Sequence, residues 1–278
     1  MRLVTFSVEG HSHRIGELVG DTVYALAWTD TMRQMVRRGM VSGRAYERFA
    51  LDKVKLAAPI QPGKIIGIGL NYADHAKETG AKPPESPVIF AKFPSVVIGA
   101  GDPIIWRTAV TDEVDYEAEL AVVIGKRAKD VSEDKALDHV FGYTCANDVS
   151  ARDLQKNGDE GKQWVKGKNL DTFCPLGPAL ITRDEIPDPQ ALKISCAVNG
   201  EKHQDGTTGD MIFSVRQLIA YCSRLFTLEP GDIILTGTPA GVGFGKKPPV
   251  YLKDGDSVTV SIEGIGELTN PCKVQTEA

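Results

Sequence analysis

The chain has 278 residues, of which 42% are hydrophobic and 25% charged, and a formal net charge of −5. That length suits one large domain, or a large domain with a small appendage, and the acidic balance excludes a nucleic-acid binder that works through a basic stripe. Five widely spaced cysteines with no CxxC pair exclude a zinc-ribbon site and a disulfide framework, and they point to a reducing compartment.

The opening MRLVTFSVEGHSHRIGE lacks the apolar stretch of a signal peptide. Apolar runs such as residues 118–125 are too short to span a bilayer. The expectation is a cytoplasmic enzyme with neither a membrane nor a nucleic-acid partner.

Residues 2–8 and 13–19 read as strands around a Glu9-Gly10 turn, followed by a third at 22–26. Residues 29–50 carry a helical pattern through Met32, Met35, Val36, Met40 and Tyr46, broken at Gly39 and Gly43. Prolines and a glycine at 57–63 mark a linker. The expected division is a small N-terminal α+β domain at 1–60 and a catalytic domain at 61–278. In the second part, short β-rich runs recur at 64–69, 87–93, 96–99, 103–106, 118–125, 140–146, 177–182, 192–199, 232–236 and 256–263. Helices are expected only at 73–79, 149–157 and 211–225. The fold class is therefore α+β and mainly β, a sandwich or roll with a few short helices.

Asp112 to Leu120, read as an extended strand, puts Glu113, Asp115, Glu117 and Glu119 on one face. Ala121, Val122, Val123 and Ile124 follow, so the continuation is buried on both sides. Glu119 is in phase with Ala121 and Val123 and points inward. Glu117 lies about 6.6 Å away on the same face, twice the rise per residue. Two buried carboxylates need a proton or a cation, and oxygen ligands favour Mg²⁺, Mn²⁺ or Ca²⁺. Glu113 and Asp115 read as solvated neighbours. Asp148, at the end of the 140–146 strand, reads either as a third ligand or as a helix N-cap, a role Ser150 could also take. Arg152 and Gln155 then stack along one helix face and could reach an anionic substrate.

The segments Asn71-Tyr72-Ala73-Asp74-His75, Asp115-Tyr116-Glu117-Ala118-Glu119-Leu120, Asn147 to Gln155, Asp210-Met211-Ile212-Phe213-Ser214 and Thr236 to Gly243 resemble the fumarylacetoacetate hydrolase family from about residue 63 to the C-terminus. The N-terminal module resembles the small leading domain of its longer prokaryotic-type members, among them acylpyruvases and oxaloacetate decarboxylases. The resemblance implies a β-rich roll, a homodimer, and Mg²⁺ or Mn²⁺ held by Glu117, Glu119 and Asp148. It implies a His75–Glu78 dyad that activates water, where spacing alone also allows a surface ion pair. It places a pocket lysine at Lys168, with Lys166 as a neighbouring competitor. Gly237 and Thr238 lie in a glycine-bearing turn that could hold a substrate carboxylate, and residues 79–87 read as a lid.

The activity implied is metal-dependent hydrolysis of a C–C bond in a small 2,4-dioxo acid of acylpyruvate type, yielding pyruvate and a carboxylic acid. Oxaloacetate decarboxylation is an alternative that shares a pyruvate enolate with this reaction. Isomerisation or decarboxylation of an aromatic-degradation 2-oxo acid is another. A catalytically silent metal-binding scaffold is the reading from outside enzymology. By contrast, Gly67-Ile68-Gly69-Leu70-Asn71-Tyr72 lacks the third glycine and the Rossmann alternation of a dinucleotide loop.

Overall fold

In the computed structural model, which describes residues 1–8, 12–39, 41, 43–156 and 164–275, the strand Ala118–Ile124 is buried along its whole length. It pairs antiparallel with Val140–Asn147 on one side and with Ile233–Leu235 on the other. Ile233–Leu235 runs parallel to Ile65–Gly69, which pairs with Val88–Lys92. These strands belong to a 12-stranded sheet. A five-stranded sheet that includes Lys193–Val198, Ser257–Ile262 and Gly266–Gln275 packs across one face. The architecture is the expected α+β, mainly-β sandwich.

The two faces of the central strand serve two cores. Leu120, Val122 and Ile124 join the larger cluster, with Ile194, Val260 and Ile262 of the smaller sheet. Ala121 and Val123 join a second cluster with Leu3, Met35, Ile60 and Ile65. Strand alternation produces this split, and it turns the carboxylate-bearing phase toward the second side.

The N-terminal strands Arg2–Ser7, Arg14–Val19 and Thr22–Leu26 form as expected. The helix expected over 29–50 is confined to Met32–Arg38 and ends at Gly39, whose φ of 63° supplies a left-handed cap. Arg44–Ala50 is instead a strand paired with Thr22–Leu26, and Tyr46 is fully exposed. Strand pairing there overrides a helical pattern already weakened by two glycines. Arg2–Ser7 also pairs with Cys174–Thr182, so the sheet runs unbroken across residue 60.

Ala73–Glu78 and Val215–Leu225 are helices, the latter opened by a Ser214–Gln217 capping box. The helix expected from residue 149 starts at Arg152. Asp148 is not a cap, and Ser150 lies in the short strand Ser150–Ala151. The Glu9-Gly10 turn, Met40, residue 157 and most of the 156–164 loop lie outside the described residues. No helix among the described residues is long and apolar enough to cross a membrane.

Leu120 is wholly buried between the two sheets. Leu120→Ala should lower unfolding stability by about 2–5 kcal/mol, read from chemical denaturation. A loss below about 1 kcal/mol would show that the site collapses around the deletion.

Candidate active site

The ladder of the central strand extends toward its N-terminal end in one register. Ala118 faces Asn147, Asp115 faces Ser150 and Val114 faces Ala151. Glu117 therefore lies opposite Asp148, whose N–H donates to the Glu117 carbonyl at 2.9 Å. The Glu117 N–H donates to Asn147 Oδ1 at 3.0 Å and the Ala118 N–H to Gln204 Oε1 at 2.9 Å. Side-chain acceptors thus replace ladder carbonyls for these two donors where the strand opens around the site.

Glu117, Glu119 and Asp148 each offer a carboxylate oxygen, and all three oxygens lie within 4.8 Å of one another. All three residues are buried. Glu117 is ion-paired to Arg152 Nη1 at 2.7 Å and to Lys168 Nζ at 2.7 Å. Asp148 is paired to Lys92 Nζ at 2.6 Å and Lys168 Nζ at 2.6 Å. Glu119 has no cationic partner among the described residues; its Oε2 accepts from the Gly237 N–H at 2.7 Å.

Burial alone would raise the Glu117 carboxyl, but the Lys168 and Arg152 charges outweigh it and hold it far below the usual range. Burial, then the Asp148 and Glu117 charges, push Glu119 well above that range. Burial works against the Lys168 ammonium, yet Asp148 and Glu117 hold its pKa above the ordinary value.

Four buried carboxylates (Asp115, Glu117, Glu119 and Asp148) thus meet three buried cations (Lys92, Arg152 and Lys168). With all seven ionised, one negative charge would be left over, at Glu119, and burial beside two carboxylates favours the protonated form there. A hard divalent cation fits this donor set: three convergent carboxylates, no sulfur, and one ligand with no cation of its own.

A cavity of about 370 Å³ opens beside the cluster, lined by Glu117, Glu119, Arg152, Gln155, Lys168 and Thr238 on its polar side and by His75. Ile68, Leu70, Phe90, Trp164 and Phe244 form its apolar wall, and Thr79 and Ala81 of the expected lid also line it. His75 is buried, and its Nδ1 lies 3.2 Å from Glu78 Oε2. Glu78 Oε1 accepts from the Gly241 N–H at 3.0 Å. Asn71 ties the pieces together: its amide donates to the carbonyls of Phe213 and Thr236, at 3.0 and 2.8 Å, and its Oδ1 accepts from the Phe213 N–H at 2.8 Å. Gly237, with φ of 93°, packs so closely on Asn71 that a Cβ would come within 2.7 Å of the Asn71 Cβ.

The sequence-expected residues therefore converge, with two corrections. Gly237 spends its N–H on Glu119. Lys168, the lysine expected from the sequence, lines the cavity, whereas Lys166 is exposed. Asp115 is no solvated neighbour but wholly buried, with Arg152 Nε donating to it at 2.8 Å; Glu113 is half-buried and accepts from the Tyr251 hydroxyl at 3.0 Å. Sequence reasoning also missed Lys92. Its signal was phase, since it follows buried Phe90 by two residues on the same strand face.

A family model described as fumarylacetoacetate (FAA) hydrolase C-terminal matches residues 64–273. The mitochondrial oxaloacetate tautomerase fahd2 of Xenopus laevis is 46% identical over 289 residues, covering 98% of this chain and 90% of that protein. A fumarylacetoacetate hydrolase from Exiguobacterium antarcticum superposes with a TM-score of 0.90 at 43% identity, covering 99% of this chain and 100% of the other. A 5-carboxymethyl-2-hydroxymuconate delta-isomerase from Mycobacterium smegmatis does so with a TM-score of 0.84 at 36% identity, covering 99% and 100%.

Because Glu119 is held protonated at pH values where free carboxyls are ionised, loading a divalent cation should expel its proton. Mn²⁺ affinity should fall as pH is lowered while still above the ordinary carboxylate range. Calorimetry just above the ordinary carboxylate range, in buffers of different ionisation enthalpy, should show proton release on ion binding. Binding without proton release would contradict this charge assignment.

Proposed function

The chain belongs to the fumarylacetoacetate hydrolase family, and on that premise we propose that it is a divalent-cation-dependent enzyme that interconverts the keto and enol forms of oxaloacetate or a closely similar 2-oxo acid. The observation that carries this reading is the placement of His75 in the wall of the same cavity as Glu117, Glu119 and Lys168. The name of the Xenopus relative supports the choice of reaction.

Glu117, Glu119 and Asp148 would hold the cation, Mg²⁺ or Mn²⁺. When bound, it supplies Lewis-acid polarisation of the 2-oxo group. His75 has its Nδ1 engaged by Glu78, so Nε2 is the atom left to take a proton. It removes the C3 proton of the keto form, and the electron pair of that C–H bond becomes the C2–C3 double bond. Lys168 donates a hydrogen bond to the C2 oxygen as charge develops there. His75 Nε2 then gives the proton it took to that oxygen, which completes the enol and restores the neutral imidazole, and the reverse sequence regenerates the ketone. Glu78, itself held by the Gly241 N–H, fixes the tautomer and orientation of His75.

Arg152 and Gln155 receive the substrate carboxylate. Thr238 joins them, because its Oγ1 accepts from Gln204 Nε2 at 2.7 Å and keeps its own proton to donate. The apolar wall excludes water from the reacting carbons. The homodimer and the cytoplasmic location belong to this proposal as well; the Xenopus relative's name carries the word mitochondrial.

Hydrolysis of an acylpyruvate is the second reading, favoured by the His75–Glu78 pair, which could equally take a proton from water. Both reactions develop an enolate, so substrate assays separate them. With Mg²⁺ or Mn²⁺ present, oxaloacetate should relax between its tautomers faster than acetylpyruvate releases pyruvate. His75→Ala should slow tautomerisation by about 10²–10⁴-fold. Faster cleavage of acetylpyruvate would install the hydrolase reading, and full tautomerase activity in His75→Ala would overturn the assignment of the base.

A further inference from the structure

Asp115 is the buried carboxylate that neither the cation cluster nor the proton transfers use. Its Oδ1 accepts from the Tyr116 N–H at 2.9 Å and the Gly243 N–H at 2.8 Å. Its Oδ2 accepts from Arg152 Nε at 2.8 Å and the Phe244 N–H at 3.0 Å. An ionised carboxylate has about four lone-pair sites, and these bonds fill them. Asp115 therefore has no capacity left for a metal ion or a substrate proton. What it does have is a grip on three separate parts of the wall: its own strand, the first turn of the helix that starts at Arg152, and the 243–244 loop.

Resting on the reading of Arg152 as a receptor for the 2-oxo acid's carboxylate, we propose that Asp115 is the positioning residue that aims Arg152 into the cavity and clamps the Phe244 backbone beside it. The guanidinium is planar, so pinning two of its nitrogens sets the direction of the third. Nε is pinned by Asp115, and Nη1 by Glu117 at 2.7 Å and Gln155 Oε1 at 3.0 Å. Nη2 lies 2.8 Å from Asp115 Oδ2 but makes no hydrogen bond among the described residues, although it is buried. The ion pair engages one side of that nitrogen, and its remaining N–H belongs to a side chain lining the cavity, where a ligand oxygen would satisfy it. The carboxylate of a 2-oxo acid is such a ligand. On the loop side, Gly243 comes so close that a Cβ would sit 2.8 Å from Asp115 Oδ1 and 1.9 Å from the Val250 carbonyl oxygen. The Phe244 ring lies 5.9 Å from the Arg152 guanidinium carbon, so the same carboxylate sets both the cation and the aromatic face beside it.

The test is oxalate binding to the Mn²⁺-loaded protein by calorimetry, which needs no turnover. Asp115→Asn places an amide donor against N–H groups, and it should weaken oxalate by about 10–100-fold while weakening Mn²⁺ by much less. Arg152→Lys should weaken oxalate comparably. The double variant should be no more than about threefold worse than Arg152→Lys alone, because the two residues act as one unit. Should Asp115→Asn not fold, Asp115→Glu keeps the acceptors but displaces them by one methylene, and the same loss is expected. Additive losses, unchanged oxalate affinity in the Asp115 variants, a parallel loss of Mn²⁺ affinity, or a wild-type protein that does not bind oxalate would each overturn the proposal. A wild-type protein that binds oxalate but does not tautomerise oxaloacetate would sink the functional reading alone. One that tautomerises oxaloacetate, with Asp115→Asn binding oxalate as tightly, would sink this inference alone.

Discussion

The Lys168 ammonium sits 2.7 Å from Glu117 and 2.6 Å from Asp148, bridging two carboxylates that strand register has placed opposite one another. Around this bridge the protein buries four acids against three bases. A buried charge left without a partner costs several kcal/mol. The surrounding structure is arranged so that, with every group ionised, only one such charge would remain, at Glu119, where burial favours the protonated form until a cation binds. Arg152 and Lys92 neutralise the outer oxygens of Glu117 and Asp148, and the Gly237 N–H supports Glu119 without adding formal charge. A divalent cation would turn the local excess of one negative charge into an excess of one positive charge. A site with that balance favours an anionic acid as its ligand.

Such a cluster needs rigid support, and the sandwich supplies it. The central strand is buried on both faces, in two separate cores. Loops from distant parts of the chain are then tied to its open end by single side chains. Asn71 joins the segments at 213 and 236. Glu78 joins the His75 helix to Gly241, and Asp115 joins Arg152 to Gly243 and Phe244. Each tie engages both polar ends of its carboxylate or amide, and a satisfied buried polar network adds rigidity. The imidazole, the ammonium and the guanidinium thus arrive at one cavity from elements that share little sequence proximity.

Glu117 and Glu119 were legible in the sequence because strand phase and a following apolar run both point inward. Asp148 was ambiguous, since a strand-end acid and an N-cap read alike until the register shows it facing Glu117. Asp115 shares the phase of the other acids, but alternation says nothing of depth, and its true partners lie 37 and 128–129 residues away. Lys92 was overlooked for a related reason: its strand phase points inward, but a lysine at a strand end normally reaches solvent, and only the position of Asp148 explains its burial. The long helix read into residues 29–50 shows the converse error. Helical periodicity survived on paper across Gly39, while pairing with Thr22–Leu26 captured Arg44–Ala50 as a strand.

The central claim is that this buried imbalance of charge is a cation site. Anomalous diffraction from crystals grown with Mn²⁺ tests it most directly. One Mn²⁺ peak is predicted within roughly 2.0–2.4 Å of an oxygen from each of Glu117, Glu119 and Asp148. No peak at that position at saturating Mn²⁺, with the three carboxylates still clustered around Lys168, would contradict the account.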